Sequence, residues 1–232
     1  MTRPEDVPAR PRVRPAEPGD AEAVVELMYA TAASIYDRFV GDERTAVRVL
    51  LRAYRSRGTN ASMEVISVAE LDGRVAAAIA AFPVEEGPRR ARGFLWIALR
   101  LAPFWRWPGA VRVYRLGGRA APRPPLRALY VDALATAAPF RRRGAARALL
   151  AVTDDEARRR RLDRVALETE LTNRGAQALY EGAGFRPTDR REPLGGLPGF
   201  VSYVKELQGR GPRSSSRIAD CGGALGDETI QG

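Results

Sequence analysis

The residues with the clearest chemical potential form a short basic turn, Arg141, Arg142, Arg143 and Gly144. A strand-like run over residues 128–135 ends just before this turn, and an alanine- and leucine-rich helix is predicted just after it. The arginines supply positive charge, and Gly144 lets the backbone approach a ligand closely. The first turn of a helix leaves N–H groups without intrahelical partners, and such groups bind anions. The sequence therefore predicts a phosphate-binding site at this turn.

A second block of residues follows in a consistent order. A predicted strand over residues 162–170 precedes a short helical block, 173–185. The two blocks together resemble the GNAT superfamily of acyl-CoA-dependent N-acyltransferases. Arg141, Gly144 and Ala146 match its pyrophosphate signature R/Q-x-x-G-x-G/A, and residues 173–185 match its N-x-x-A-x-x-L-Y-x-x-x-G-F ending. Two motifs in the right order are more specific than either alone.

The chain departs from the commonest family pattern at two positions. Arg142 stands where glycine is usual, and Ala146 replaces the more frequent glycine. Alanine remains within the signature. Arg142 is the larger change, although a side chain that points to solvent would leave its N–H free and add a contact to a phosphate.

The resemblance implies acetyl-CoA as the acyl donor. It also implies that the fourth strand, from Leu129 to about Ala135, parts from the fifth so that the pantetheine arm enters the gap. Leu134 and Thr136 would offer backbone groups to this arm, and the Leu134 N–H would polarise the thioester carbonyl. The residues assigned to acetyl-CoA on this basis are Leu134, Ala135, Thr136, Arg141, Arg142, Arg143, Gly144, Ala145, Ala146, Arg147 and Asn173.

Tyr180 is the chief catalytic candidate that the resemblance supplies. A phenol held beside the departing sulfur of CoA can give it a proton. The alternative is an aromatic side chain that only packs, one helical turn from Ala176. Asn173 has two compatible roles: it can cap the helix that begins at Arg174, and its amide can reach the pantetheine.

A general base is needed as well, because an amine with a pKa near that of lysine must lose a proton before it attacks. With no histidine in the chain, an imidazole base is excluded. Glu168 and Asp132, on the two parting strands, are the favoured carboxylates. Either could instead bind the substrate cation or pass the proton through water.

Composition excludes several other chemistries. The chain has 232 residues, no histidine and one cysteine, Cys221, so it can form neither a Ser-His-Asp triad nor a His/Cys zinc site. No metal is therefore expected. Lys205, the only lysine, lies outside any P-loop pattern. The net charge of +10 comes almost entirely from arginine, and no nucleic-acid reader motif accompanies it, so no nucleic-acid partner is expected.

The domain organisation follows from the same composition. At 45% hydrophobic residues the chain supports one core, which we place in a single acetyltransferase domain over residues 12–207. Residues 1–11 are predicted to form a disordered arm, and 208–232, rich in Gly and Ser, a disordered tail. The absence of an export signal and of a cysteine pair indicates a cytoplasmic protein.

The predicted fold is α/β, with a mixed, mostly antiparallel central sheet flanked by helices. Residues 13–20 form a short strand and a turn, and Asp20 is predicted to cap a helix from Ala21 to about Tyr36. A second helix starts near Asp42. Asp72-Gly73 joins two hairpin strands, 63–70 and 75–82, and the helix after Gly144 extends to about Arg161.

Residues 88–125 form an insertion with an apolar centre and aromatic residues among arginines. The apolar centre, residues 94–101, is too short to cross a bilayer, which needs about 20 apolar residues. The favoured interpretation is a helix or helical hairpin packed on the sheet as a lid over the acceptor site. A segment that contacts a membrane surface or an anionic partner is a second interpretation, and a homodimer contact is a third.

The sequence thus predicts direct acetyl transfer from acetyl-CoA to a primary amine through a ternary complex. The acceptor is a small molecule, a peptide or a protein. A GNAT-like sensor or scaffold that binds CoA without catalysis is the main alternative, and a basic nucleic-acid-binding module is the other.

Overall fold

The computed structural model describes residues 10–120, 124–195 and 197–207. The predicted arm and tail, with Cys221, lie almost wholly outside this range. The described residues form seven helices, seven strands and several short 3-10 turns. The helices are α1 (Ala21–Thr31), α2 (Ala33–Val40), α3 (Glu43–Tyr54), α4 (Gly87–Leu101), α5 (Trp107–Ala120), α6 (Ala145–Arg159) and α7 (Arg174–Gly182). The strands are β1 (Arg12–Pro15), β2 (Ile66–Leu71), β3 (Arg74–Pro83), β4 (Ala128–Thr136), β5 (Arg164–Glu170), β6 (Arg186–Arg191) and β7 (Phe200–Glu206).

The strands form one sheet in the order β1-β2-β3-β4-β5-β7-β6. Only β4 and β5 pair in parallel, and the other neighbours are antiparallel. The parallel pair is required because α6 carries the chain across one face of the sheet between these strands. This mixed, mostly antiparallel sheet confirms the predicted fold class.

Both faces of the sheet are covered, and the side chains of β3 show how. Ala78 and Ala80 belong to a core shared with helices α1 to α5, whereas Ala77 and Ile79 belong to a core shared with α6 and α7. Successive side chains of a strand point to opposite faces, so a strand covered on both sides is apolar throughout.

Two predictions about the first helices were wrong. The predicted helix to Tyr36 is interrupted at Ala32, whose backbone (φ −152°, ψ 39°) separates α1 from α2. Nothing in the local sequence requires this break. Asp20 precedes α1 but does not cap it with its side chain. Its carboxylate instead accepts hydrogen bonds from the Glu17 N–H at 2.8 Å and from the Arg14 guanidinium.

Other elements lie where they were predicted. Asp42 caps α3 by accepting a hydrogen bond from the Thr45 N–H at 2.9 Å. Asp72 and Gly73 form the β2–β3 turn with φ values of 52° and 71°, as an Asp-Gly hairpin requires. The strand predicted from residue 63 begins only at Ile66, because residues 63–65 form a 3-10 turn.

The insertion is a helical hairpin of α4 and α5, as predicted. Its main contacts are with α2 and α3, and it also reaches the sheet, where the Arg90 guanidinium of α4 lies 5.5 Å from the centre of the Phe82 ring of β3. Phe94 and Ala98 of α4 are buried, and the Phe94 ring lies 5.9 Å from that of Phe39 in α2. Within the part of the chain that the structure describes, no helix combines the length and apolarity needed to span a bilayer.

Gly93 allows α4 to pack closely against the loop that follows α3. A Cβ at Gly93 would lie 2.6 Å from the Gly58 carbonyl oxygen, so we expect Gly93→Ala to lower the free energy of unfolding by about 1–3 kcal/mol. Gly109→Ala in α5 is the matched control. An added Cβ there meets nothing within 4 Å, and helix propensity should stabilise the protein by about 0.5–1 kcal/mol. Urea unfolding measures both, and equal midpoints for the two variants would contradict the prediction.

Candidate active site

The site begins where the two parallel strands part. β4 and β5 pair from Ala128 opposite Arg164 to Val131 opposite Leu167, and then the pairing stops. Residues 132–136 of β4 therefore have a free edge that faces the free edge of residues 168–170 of β5. The predicted separation of these strands is present.

The register of β4 determines which of its amides face this gap. The Ala137 N–H donates to the Ala76 carbonyl at 2.9 Å, across the β3–β4 ladder. Since backbone groups alternate in direction along an antiparallel strand, Ala135 pairs with β3, whereas Leu134 and Thr136 direct their N–H and C=O groups into the gap. Two backbone donors thus line the gap, at the positions that the sequence predicted.

The basic turn lies at the end of this gap. Gly144 precedes α6 in a left-handed conformation, with φ of 85°, and no side chain caps the helix. The Ala148 N–H donates to the Gly144 carbonyl, so the N–H groups of residues 145–147 precede the first helical hydrogen bond and are free for a ligand. A Cβ added to Gly144 would meet nothing within 4 Å. This combination of open space, free amides and helix dipole suits a diphosphate.

Arg142 shows why glycine is usual at its position. Its φ is 60°, a left-handed conformation that costs a residue with a side chain about 1–2 kcal/mol. The side chain is exposed, so the backbone keeps the shape that the turn needs. The substitution therefore strains the loop without blocking it.

The arginines of the turn differ in what they contact. Arg143 donates to Asp72 of the β2–β3 turn at 2.9 Å, and its guanidinium lies 5.5 Å from the centre of the Phe140 ring. Arg147 donates to the Gly182 carbonyl at the end of α7, at 3.2 Å. Among the described residues, Arg141 and Arg142 form no ion pair, so their charges remain available to an anion.

Tyr180 lies on α7 on the other side of the gap. Its ring is buried, 6% exposed, and packs against Phe185 and Tyr203. No group in the described part of the chain hydrogen-bonds its hydroxyl, which lines the cleft. Burial raises the pKa of this phenol to about 12, so it is protonated at neutral pH. Asn173 caps α7 by accepting the Ala176 N–H at 3.1 Å, which confirms the capping prediction.

Asp132 lies at the point where the strands part. It has no partner in β3, because Val131 pairs with Ala81 and Ala133 with Ala80. This shift in register is a β-bulge, and a bulge changes the direction of the side chain of the extra residue. The Asp132 carboxylate accepts a hydrogen bond from Asn60 at 3.0 Å. It is exposed to the cleft but surrounded by protein, and this desolvation raises its pKa to about 6.

Glu168 faces Asp132 across the gap. It accepts a hydrogen bond from the Tyr130 hydroxyl at 3.0 Å. Desolvation, with a smaller contribution from the charge of Asp132, raises the pKa of Glu168 to about 7. Burial raises the pKa of Tyr130 well above its usual value, and the charges of Glu168 and Asp132 raise it further. Tyr130 therefore stays protonated and donates to Glu168.

These groups share one open cleft of about 2150 Å³. All predicted site residues line it except Arg143, which points to the β2–β3 turn. The opposite wall comes from α1, α2 and the α4–α5 hairpin, including Tyr36, Phe94 and Tyr114. Among the described residues, no group of three or more acidic or cysteine side chains is arranged to hold a metal ion.

Comparison with known families assigns this architecture. A sequence model described as the acetyltransferase (GNAT) family matches residues 29–185, which include the turn, both parting strands and α7. The chain belongs to the GNAT family of acetyltransferases. A search of curated proteins found no match.

Solved structures share the GNAT fold. An acetyltransferase crystal structure superposes with a TM-score of 0.63 at 18% identity, covering 85% of this chain and 100% of that chain. An N-acetyltransferase from Staphylococcus aureus Mu50 gives 0.62 at 18% identity, covering 83% and 99%. The yncA protein from Salmonella typhimurium, solved with its cofactor acetyl-CoA, gives 0.53 at 17% identity, covering 89% and 99%. At these identities the likeness concerns the GNAT fold alone.

The sequence did not indicate two partners of the carboxylates. Asn60 donates to Asp132 from a loop 72 residues earlier in the chain, and Tyr130 donates to Glu168 on the neighbouring strand. Tyr130 could have been found, because it lies opposite Ala166, and Glu168, two residues further along β5, is on the same face of the sheet. No local pattern marks Asn60.

Proposed function

We propose that this GNAT protein transfers the acetyl group of acetyl-CoA directly to a primary amine of a small molecule, a peptide or a protein. The observation that carries the proposal is the arrangement around the gap between β4 and β5. A free, protonated phenol lies at the gap, together with two carboxylates whose pKa values are raised towards neutrality. Proton donor and proton acceptors thus share one cleft.

The cleft suits acetyl-CoA as donor substrate. The amides before and in the first turn of α6 would hold the diphosphate, with Arg141 and Arg142 adding charge. The pantetheine arm would lie along the free edge of β4, where Leu134 and Thr136 present their backbone groups. The Leu134 N–H would donate to the thioester oxygen and stabilise the negative charge that develops there.

The reaction needs no enzyme nucleophile. Glu168 or Asp132, directly or through water, removes a proton from the acceptor ammonium, and the neutral amine attacks the thioester carbonyl. The C–N bond forms, the C–S bond breaks, and the Tyr180 hydroxyl gives its proton to the departing sulfur. The nitrogen is cationic after the attack and passes its extra proton, directly or through water, to the Tyr180 phenolate, while the proton held by the carboxylate is released to solvent, so protons and charge balance.

Assay of purified protein with acetyl-CoA and a panel of amines tests this proposal. The release of free CoA thiol and the mass of the acetylated amine are measured together. Acetylated product supports the transferase. If acetyl-CoA raises the melting temperature but no amine in a broad panel is acetylated, the protein is a CoA-binding sensor or scaffold instead.

The pH dependence of kcat/KM distinguishes a base from a structural carboxylate. Glu168 is protonated below its pKa of about 7 and cannot accept a proton there. We therefore expect the ratio of kcat/KM between wild type and Glu168→Gln to rise with pH up to about 7 and then level off. Ionisation of the amine affects wild type and variant equally, so its effect cancels in this ratio.

Glu170→Gln is the matched control, because Glu170 lies on the same strand and also lines the cleft. The ratio of kcat/KM between wild type and Glu170→Gln should not change with pH. A pH-independent ratio for Glu168→Gln would remove Glu168 from proton transfer. Because the charges of Asp132 and Glu168 affect each other's protonation, the apparent pKa values in the pH profile belong to the pair and not to either residue alone.

A further inference from the structure

The α4–α5 hairpin exposes large apolar side chains to solvent. Seven large hydrophobic residues are strongly exposed among those that the structure describes, and five of them lie between residues 96 and 107. They are Trp96 (63%), Leu101 (37%), Phe104 (71%), Trp105 (67%) and Trp107 (46%). Phe104 and Trp105 lie between the two helices, at the tip of the hairpin, where their rings contact each other edge to face. A cluster of this kind marks an interaction surface.

The same hairpin carries an excess of positive charge. Residues 87–131 contain ten arginines and neither aspartate nor glutamate. Of the seven arginines between 87 and 116, only Arg90 forms an ion pair with a residue that the structure describes; its partners are Glu64 and Glu86. At the end of α6, by contrast, Arg158, Arg159 and Arg160 all pair with acidic residues one helical turn away. The hairpin arginines are therefore available to an external anion.

Helical spacing brings the two features together. Arg89, Arg92, Trp96 and Arg100 are exposed at intervals of three and four residues, so they form one stripe along α4. A groove of about 680 Å³ runs from the hairpin tip along α5, and its lining includes Phe104, Trp107 and Arg112. Aromatic and cationic side chains thus occur together both on α4 and at the start of α5.

We propose that the α4–α5 hairpin docks on the surface of a membrane that contains anionic lipids. Tryptophan and phenylalanine at the tip would enter the headgroup region, and the arginines would contact lipid phosphates. This proposal goes beyond acetyl transfer and does not depend on it.

Charge favours this occupant over a second copy of the chain. A two-fold dimer through this face would bring Arg89, Arg92 and Arg100 of one α4 stripe close to the same three arginines of the other, with no acidic residue of the hairpin between them. An anionic bilayer supplies both the negative charge and an apolar layer for the exposed rings.

The sequence provides a specific optical probe. All three tryptophans of the chain, Trp96, Trp105 and Trp107, lie on this surface. Intrinsic tryptophan emission therefore reports on the hairpin alone. Full-length protein is titrated with vesicles of phosphatidylcholine and with vesicles that also contain phosphatidylglycerol, and co-flotation is measured in parallel.

We expect a blue shift and co-flotation with phosphatidylglycerol vesicles, and quenching by lipids with brominated acyl chains. Arg92→Gln with Arg100→Gln should weaken binding roughly 30-fold, since each arginine near an anionic surface contributes about fivefold. Phe104→Ala with Trp105→Ala should weaken it roughly tenfold or more. Circular dichroism melting verifies that each variant is folded.

Two controls match these variants. Arg158→Gln with Arg159→Gln removes the same charge from another exposed site, and Leu126→Ala truncates a residue that is 72% exposed outside the hairpin. Both should bind as wild type does. The proposal is overturned by equal binding to neutral vesicles, by flotation without an emission change, or by losses as large in the controls. A vesicle-free dimer that dissociates in the Phe104→Ala, Trp105→Ala variant would identify a second copy as the partner and would also overturn it.

Discussion

Replacement of Tyr180 by phenylalanine should lower kcat about 100-fold, while acetyl-CoA still binds with nearly the wild-type Kd. General acid catalysis by a positioned side chain contributes about 10²–10⁴-fold. The ring packs against Phe185 and Tyr203, and phenylalanine preserves that packing. The hydroxyl has no hydrogen-bond partner among the described residues, so its removal leaves no buried group unsatisfied. Stability should therefore change little.

Tyr203→Phe is the control for this variant. It removes a hydroxyl from the same aromatic cluster, one that donates to Glu181 at 3.0 Å rather than lining the cleft. Its kcat should remain near that of wild type. Single-turnover rates are measured with steady-state rates, because slow product release can hide a chemical defect. An unchanged single-turnover rate in Tyr180→Phe would remove this phenol from the mechanism.

Features that depend on a few adjacent residues could be predicted from the sequence. Gly144 before an alanine-rich helix specifies a left-handed turn, Asp72-Gly73 specifies a hairpin, and Asn173 caps α7. In each case the residue type determines the backbone conformation locally. The separation of β4 from β5 could also be predicted, although from the family resemblance and not from a local pattern.

Features that depend on distant contacts could not be predicted. The bulge at Asp132 is determined by how β4 pairs with β3, and the helical break at Ala32 has no local signal. Arg143 was assigned to the cofactor from its place in the turn, but Asp72, 71 residues earlier, holds its side chain. Local residues determine the backbone conformation of the turn, whereas the direction of the Arg143 side chain depends on the neighbouring hairpin.

The two carboxylates likewise combine a feature that could be predicted with one that depends on the fold. Asp132 and Glu168 were chosen because their strands part, which a motif can indicate. Their pKa values of about 6 and 7 arise mainly from desolvation by burial, which depends on the tertiary packing and not on the motif. A motif can therefore indicate candidate groups, while the surrounding fold determines their protonation.

Replacement of Gly144 by glutamate should abolish most acetyl-CoA binding, with Kd raised about 100-fold or more. The side chain would fill the open space beside the first turn of α6, and its carboxylate would repel the diphosphate. In wild type, acetyl-CoA at roughly 100 times Kd should stabilise the fold by about 2.7 kcal/mol and raise Tm by about 5–10 °C. Gly144→Glu should show almost none of this shift.

Two matched variants separate the effects of charge, bulk and backbone strain on acetyl-CoA binding. Gly144→Gln adds the same bulk without charge, so the difference between Gln and Glu measures repulsion, which should shrink as salt is raised. Gly58→Glu introduces the same side chain at another left-handed glycine, with φ of 75° and open space around its Cβ, and so reproduces the backbone strain outside the turn. It should keep the full acetyl-CoA shift even if its own Tm is lower. If Gly144→Glu keeps as large an acetyl-CoA shift as Gly58→Glu does, the diphosphate binds elsewhere, and the free amides of α6 have no part in holding the donor.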